Sequence, residues 1–463
     1  MSISRRRPTA IDLFSGAGGL SLGFEQAGFD ILCAAEYDPI HAATHAYNFP
    51  NTEMVCEDIA TITAERLVKA ARRGWRAHGK HEKWDSKLDV LIGGPPCQGF
   101  STGGKREVDD ARNKLVFRFA ELVGELKPRY FVMENVQGLA SFIADASGQK
   151  LLQRLIEKLR AHGYAVAEPI ILNACAFGVP QDRRRLFLLG AREGLTLPKP
   201  PARRTRGRRR RPDGYIPTGS DIEGRPECPS VWDAIGDLPN ADDFDDLLDS
   251  DAIKLADEMT QAINNSASRY VKRLRGVEPD LCDLSRERIW NQSLLTSSCR
   301  TTHREEVLTR FEKVKEGYAD GTSRFFRLYR EGVSPTLRAG SHYERGAFNA
   351  PRPIHPLKPR VITVREAARL HSFPDWFRFH WTKWHGFRQV GNSVPPLIGR
   401  AVAEAIVTAL DVVPSRTLKP IRLGDERLLL MENLDAAEHF KASPDRMPRN
   451  ALRIRPLVER KAA

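Results

Sequence analysis

No CxxC pair occurs in the 463-residue chain, and its seven cysteines, at positions 33, 56, 97, 175, 228, 282 and 299, are an odd number. That pattern argues against a disulfide framework or a zinc site and suits a reducing compartment. The opening MSISRRRPTA is basic but has no apolar stretch behind it, and no later run offers the roughly 18 consecutive apolar residues that a membrane span needs. A soluble, intracellular protein is therefore expected. Internal repeats are lacking too. Acidic charge is in deficit, with 59 Asp plus Glu against 72 Lys plus Arg and a net charge of +13. This favours a polyanionic partner, nucleic acid foremost, over an acidic small molecule, with a solvated basic surface as the alternative. The length suits two domains and leaves ample chain to bury a core.

What is present is an alternation of strand and helix patterns. TAIDLF is a short apolar run ending in SGAGG, and LSLGFEQAGF then places Leu20, Leu22, Phe24 and Ala27 on roughly one helical face. FDILCAAE follows as a second strand closing on Glu36, 20 residues after Gly16. At that spacing a dinucleotide fold carries its ribose-binding carboxylate. The turn departs from GxGxxG, because Ser21 stands where the third glycine belongs. A glycine turn without a ligand would also fit this segment alone.

LDVLIGG (88–94) reads as a parallel strand covered on both faces, which makes GGPPCQGFS the loop at its carboxyl end. PRYFVMENV is a further strand ending in Glu134 and Asn135. In open parallel sheets ligands bind outside the carboxyl ends of the strands, so the glycine turn, Glu36, Cys97 and Glu134 are expected on one rim. Two prolines stiffen the approach to Cys97, while Gly93, Gly94 and Gly99 let a planar substrate come close. A thiol held this way reads as a nucleophile, against the alternative of a structural cysteine. Glu134 alone could equally cap a following helix, and Arg183 to Arg185 could be a solvated charge run.

Taken together, DLFSGAGGLSLGFEQAGF, GGPPCQGFS, ENV, QDRRRLF and GNSVPP, in that order, resemble the motif series of the DNA (cytosine-5) methyltransferases. The match covers about 1–190 and 330–410. The resemblance implies an α/β fold, a doubly wound Rossmann-like methyltransferase sheet with a second, smaller target-recognition domain. It implies S-adenosylmethionine held by Phe14, Gly16, Gly18 and Gly19, with Glu36 on the ribose, Asp58 at the adenine and Ile59 beside it, and Asn392 and Val394 returning from far along the chain. Pro96 and Cys97 match the catalytic pair, with Pro96 also at the cofactor; Glu134, Arg183 and Arg185 complete the catalytic set. Ser101, Gln181 and Thr336, the last in a threonine-leucine pair, are implied at the DNA. No metal is implied. The chemistry would be addition of the Cys97 thiolate to carbon 6 of a flipped-out cytosine, with a proton from Glu134 at ring nitrogen 3 and Arg185 anchoring the ring oxygen.

The expected organisation is a catalytic domain over 1–190, completed by 385–412, a target-recognition region over 191–350, a connecting motif over 351–384 and a C-terminal extension, 413–463, of unassigned role. VITVREAARLHSFPDWF should open a structural helix at Thr363 with Glu366 closing a capping box. RRTRGRRRR (203–211), seven arginines in nine positions, reads as a disordered or loop segment, a phosphate clamp or, less well, a nuclear-import signal. The expected protein is a monomeric, cytoplasmic, nucleoid-associated prokaryotic modification enzyme acting on double-stranded DNA, without a membrane, and paired functionally with a restriction endonuclease. An RNA cytosine methyltransferase on this scaffold is the alternative within the same chemistry. A catalytically silent DNA-binding relative is the alternative outside it.

Overall fold

The computed structural model describes residues 4–96, 111–142, 149–214, 224–339, 352–416 and 419–442. Five parallel strands form its centre: β1 (Thr9–Leu13), β2 (Asp30–Glu36), β3 (Glu53–Cys56), β4 (Val90–Gly93) and β5 (Tyr130–Asn135). They lie in the order 3-2-1-4-5, and antiparallel strands β6 (Tyr164–Val166), β7 (Ile170–Asn173) and β8 (Arg184–Arg192) extend the sheet beyond β5 to eight strands. The strand order reverses between β1 and β4, and that reversal opens a crevice at the carboxyl ends of those two strands.

The strands are apolar on both faces because helices cover both. Along β1, Ile11 and Leu13 enter one core cluster and Ala10 the other; along β5, Phe131 and Met133 oppose Tyr130 and Val132. This is the two-residue alternation of a pleated strand, with each face buried. The crossover helices are α1 (Gly19–Gln26), α2 (Pro39–Asn48), α3 (Ala64–Ala77) and α4 (Ala111–Leu126), with α5 (Leu151–Ala161) leading into β6. Pro39 starts α2 behind the Asp38 cap, whose carboxylate accepts from the Ile40 and His41 amides.

Residues from far along the chain finish this sheet. Helix α6 (Val364–Leu370) begins with the expected capping box between Thr363 and Glu366, and Arg360 clasps both Glu366 carboxylate oxygens at 2.9 Å. Phe373, Phe377 and Phe379 then pack into a cluster with α6, so this stretch is structural as expected. Helices α7 (Lys383–Asn392) and α8 (Pro396–Leu410) follow. Together they make a 28-residue stretch whose apolar character would suit a membrane span, but its most apolar window is 61% buried inside the protein. That apolarity belongs to the core: Ile398, Val402 and Ile406 pack under the sheet.

Of the two forms expected for the arginine-rich segment, disorder or a loop, it takes the loop. It runs as an anchored strap, with the Arg204 amide on Ala176 O (2.8 Å), the Cys228 amide on Arg206 O (2.9 Å) and the Val333 amide on Arg209 O (2.9 Å). Its charges meet acids: Arg206 and Arg208 pair with Glu227, Arg204 with Glu404 and Arg210 with Asp182. Local acids at those positions neutralise a run that would otherwise repel itself. The acidic stretch after it serves elsewhere, Asp242 facing Arg360 and Asp245 facing Arg300.

Close approach of α1 and α8 is what brings the last motif to the crevice. A Cβ on Gly23 would sit 2.6 Å from the Arg400 amide nitrogen, the Gly399 carbonyl carbon and the Pro396 oxygen, all of them backbone atoms that cannot swing aside. Gly23→Ala should therefore force the helices apart and lower stability by about 1–3 kcal/mol, the usual cost of overpacking. Chemical denaturation would measure it, and a midpoint equal to the wild type would show that the contact is looser than described.

Candidate active site

The crevice is a cavity of about 610 Å³ reaching from the glycine turn to Glu134. Its walls include Phe14, Gly16, Gly19, Glu36, Asp58, Ile59, Pro96, Glu134, Arg183, Arg185, Asn392 and Val394. Twelve expected residues, nine from the five separated motifs and three, Glu36, Asp58 and Ile59, from two further segments, therefore meet in one space. Cys97 and Ser101 lie outside the described residues, although Pro96, directly before Cys97, is at the cavity wall.

At one end the glycine turn is fixed by Glu36. Its carboxylate accepts from the Gly16 amide at 2.8 Å and from the Tyr37 and Asp38 amides at 2.9 Å. Gly16 has φ +55, a left-handed conformation that glycine adopts at little cost. Gly19 is required for another reason: a Cβ there would lie 2.3 Å from Val394 O, so the turn and the GNSVPP segment touch backbone to backbone. Gly18 is not part of the cavity wall. With φ +103 and the Phe49 ring 2.3 Å from where a Cβ would stand, it serves packing behind the turn. Ser21, in place of the third glycine, donates to Asp12 at 2.6 Å and faces His45 at 3.1 Å. Burial pushes the Asp12 carboxyl up to about 7, against the Ser21 hydrogen bond, which lowers it.

At the other end Glu134 closes β5, where its register partner on β8 is Phe187. Arg185 Nε lies 2.9 Å from Glu134 Oε1. Burial drives the Glu134 carboxyl above its ordinary value, while Arg185 and then Arg183 pull it down. The expected alternative, a helix cap, does not occur: the short 3₁₀ turn at Gln137–Ser141 takes no side-chain cap bond. A Cβ on Gly94 would lie 3.0 Å from Glu134 Oε2, so glycine there lets the proline loop pass close to the acid.

Arg183, directly before β8, and Arg185 within it face inward while Arg184 is exposed, as the strand period requires. Arg183 is buried and donates to Leu337 O (2.8 Å), Gly391 O (2.8 Å) and Ser393 O (2.9 Å). Gln181, expected at the DNA, is instead fully buried. Its amide reaches Leu370 O and His371 Nδ1 and accepts from the Leu337 amide. Thr336 donates to Asp182 O at 2.7 Å, and the Ser334–Pro335 strand pairs with Gln181–Asp182. Neither Gln181 nor Thr336 lines the cavity; both hold its frame.

The structure adds residues that motif reading passed over. Asn135 donates to Pro95 O at 3.1 Å, which clamps the loop leading to Cys97; its position beside Glu134 was the only sequence signal. Tyr37, Asp38, His41, Trp384, Arg388 and Asn433 line the cavity near the glycine turn. Arg388 pairs with Asp38 at 2.9 Å. Among the described residues no group of His, Cys, Asp or Glu is arranged to hold a metal ion.

A doubly wound sheet with its cavity at the strand-order reversal, a carboxylate on the glycine turn and a buried acid across the cavity, defines a Rossmann-like methyltransferase. The family profile for C-5 cytosine-specific DNA methylases matches residues 9–408. The type II methyltransferase M.XorII of Xanthomonas oryzae pv. oryzae is 46% identical over 438 residues, covering 94% of this chain and 93% of that one. M.AgeI of Thalassovita gelatinovora is 32% identical, over 86% of this chain and 99% of its own. Among solved structures, one described as a prophage-encoded DNA modification methyltransferase from E. coli superimposes with a TM-score of 0.62 at 31% identity, over 87% of this chain and 99% of that one. The chain belongs to the C-5 cytosine-specific DNA methylase family, and it is a DNA (cytosine-5) methyltransferase.

The electrostatics of Glu134 can be checked directly. Arg185→Ala removes the larger of the two cations that lower this carboxyl, so its titration should move higher still. Carboxyl ¹³C NMR of glutamate-labelled protein, assigned with Glu134→Gln, measures it. A shift downward would mean that Arg185 does not hold this carboxyl down.

Proposed function

We propose that this enzyme transfers a methyl group from S-adenosylmethionine to carbon 5 of a cytosine within a specific short sequence of duplex DNA, acting as a monomer in the cytoplasm beside the nucleoid. The observation that carries the reading is the convergence, in one cavity, of an Asn135-clamped proline loop, the Glu134–Arg185 pair and the Glu36-fixed glycine turn. The type II names of M.XorII and M.AgeI support a restriction-modification role, with a partner endonuclease reading the same site.

The donor end fits its ligand by volume and chemistry. A cavity of about 610 Å³ suits a nucleoside-sized molecule, and the turn presents backbone beside Glu36, Asp58 and Ile59 for a ribose and an adenine. Phe14, Gly16, Gly19, Asn392 and Val394 would complete that end. When bound, the donor supplies an electrophilic methyl group. The chain's own residues do the rest. Cytosine carbon 5 is too electron-poor to take a methyl group unaided. Addition of the Cys97 thiolate to carbon 6 makes it an enamine, and charge then builds toward ring nitrogen 3. Glu134, held high in pKa by burial, can carry the proton needed there, and Arg185 orients the acid and anchors the ring oxygen. After methyl transfer a solvent base takes the carbon 5 proton, the freed electron pair restores the 5,6 double bond and expels the thiolate, whose sulfur is a good leaving group, and ring nitrogen 3 returns its proton to Glu134. The base must leave the stack to reach these groups. Ser101, four residues after Cys97 in the sequence, is assigned to the DNA. Gln181, Thr336 and Arg183 act on the site by holding its frame.

The covalent step is testable because release requires loss of the carbon 5 proton. With 5-fluorocytosine at the target and S-adenosylmethionine present, the enzyme should remain on its DNA as an adduct that survives denaturation. Peptide mapping should place the adduct on Cys97, and Cys97→Ser should abolish it. An adduct on another cysteine, or undiminished methyl transfer by Cys97→Ser, would overturn the assignment.

Sequence choice is assigned to the region 191–350, which carries no catalytic motif. Replacing it with the matching region of a relative that methylates a different site should move the methylated cytosine in bisulfite sequencing. An active chimera with unchanged preference would place specificity elsewhere.

A further inference from the structure

The family match ends at residue 408, yet the chain continues and turns back toward the cavity. Residues 419–442 run as a strap anchored at successive points. Ile421–Arg422 pair in parallel with Arg288–Ile289. The Gly424 amide donates to Tyr47 O at 2.8 Å, and Leu428 and Leu429 bury against Ala43 and Tyr47 of α2. Glu426 pairs with Arg378 at 2.9 Å, the Trp381 amide donates to Leu429 O, and His380 Nε2 lies 3.0 Å from Met431 O. Directly after these anchors α9 (Asn433–His439) begins, and Asn433 reaches the cavity wall.

Asn433 stands there with residues of two other elements. Tyr37, Asp38 and His41 come from the end of β2 and the start of α2, Trp384 and Arg388 from α7. Arg388 is already held, by Asp38 at 2.9 Å and over the Trp384 ring at 5.5 Å. The Glu36 carboxylate is occupied by three backbone amides. The Asn433 side chain is half-buried and makes no hydrogen bond among the described residues. A carboxamide offers two donors and an acceptor, which suits the hydroxyl, amine and carboxylate groups of an adenosyl donor.

We propose that Asn433 is a binding residue for the methyl donor, and that the strap is therefore a built part of the donor pocket. The inference rests on the reading that this cavity takes S-adenosylmethionine. It assigns to the C-terminal extension a place in the site that the family match does not include. Asn433 would supply one hydrogen bond to the bound donor, from a backbone position fixed by the anchors before it.

Isothermal titration of the full-length protein with S-adenosylhomocysteine, the demethylated product, tests both levels separately. Binding by the wild type is required by the donor reading; absence of binding would sink that reading irrespective of Asn433. Given wild-type binding, Asn433→Ala should bind roughly two- to tenfold more weakly, as loss of one hydrogen bond predicts, with its unliganded unfolding midpoint unchanged. Hydrogen exchange of the wild-type protein provides a readout that does not depend on how the variant folds. In the wild type, S-adenosylhomocysteine should slow amide exchange across 433–439, and in Asn433→Ala that protection should be lost. Equal affinity of the two proteins, or exchange in 433–439 indifferent to the ligand, would overturn the proposal.

Discussion

A single buried guanidinium organises this molecule. Arg183 stands directly before β8 and donates to Leu337 O, Gly391 O and Ser393 O, carbonyls 154, 208 and 210 residues away in sequence. A charge in that position would be prohibitive without such partners, and carbonyls at a loop and at a helix end would be costly to bury unpaired. Each side thus needs the other. The consequence is geometric: the segment after β7, the end of the central region and the GNSVPP turn must assemble together or not at all. His371 reinforces the knot, its Nε2 2.9 Å from Ser393 O and its Nδ1 3.0 Å from the Gln181 amide; burial first, then Arg183, keeps its pKa well below the ordinary histidine value.

Much of the cavity was legible because its residues obey strand and turn rules. β1, the glycine turn and Glu36 follow from an apolar run, a glycine cluster and a 20-residue spacing, and the alternation of Arg183 and Arg185 against Arg184 follows from the strand period. Side-chain destinations were harder to read. Gln181 looks like a surface recognition residue in QDRRR, but its amide fits between Leu370 O and the Leu337 amide, a partnership invisible without the fold. Gly18 belongs to the same glycine cluster as Gly16 and yet faces the Phe49 ring, because consecutive turn residues point in different directions. The anchoring of the arginine-rich strap was hidden for a related reason. Its neutralising acids, Glu227, Glu404 and Asp182, are scattered along the sequence and only the fold gathers them.

The C-terminal extension was illegible for a different physical reason. Its apolar run, RLLLM, is too short to reveal which face it covers, and it folds by adding small pieces to surfaces made elsewhere. The pairing of Ile421–Arg422 with Arg288–Ile289 is instructive. Arg288 grips both oxygens of Glu25 on α1, at 2.8 and 2.7 Å, and lies over the Trp376 ring at 4.7 Å. The strap therefore joins the central region exactly where that region is bolted to the helix behind the glycine turn.

The two ends of the cavity gather acids among different partners, and burial tunes each differently. Around the glycine turn stand Asp12, Glu36 and Asp38; across from them stand Arg183 and Arg185 around one acid. Asp38 is held low, His41 and Arg388 overcoming its burial, so it remains anionic and caps α2. Glu134 is raised, because burial outweighs the guanidinium at 2.9 Å. Both acids stand beside an arginine, Glu134 buried and Asp38 half-buried, so one adjacent guanidinium does not by itself decide the outcome. Asp38 also accepts from the Ile40 and His41 amides, whereas no such backbone donor to Glu134 appears among the described residues. Asp38 thus has three neighbours that pull its carboxyl down, His41, Arg388 and His385, with backbone donors adding to them, whereas Glu134 has only Arg185 and Arg183 to set against its burial; that difference separates an acid kept as a structural anion from one able to hold a proton.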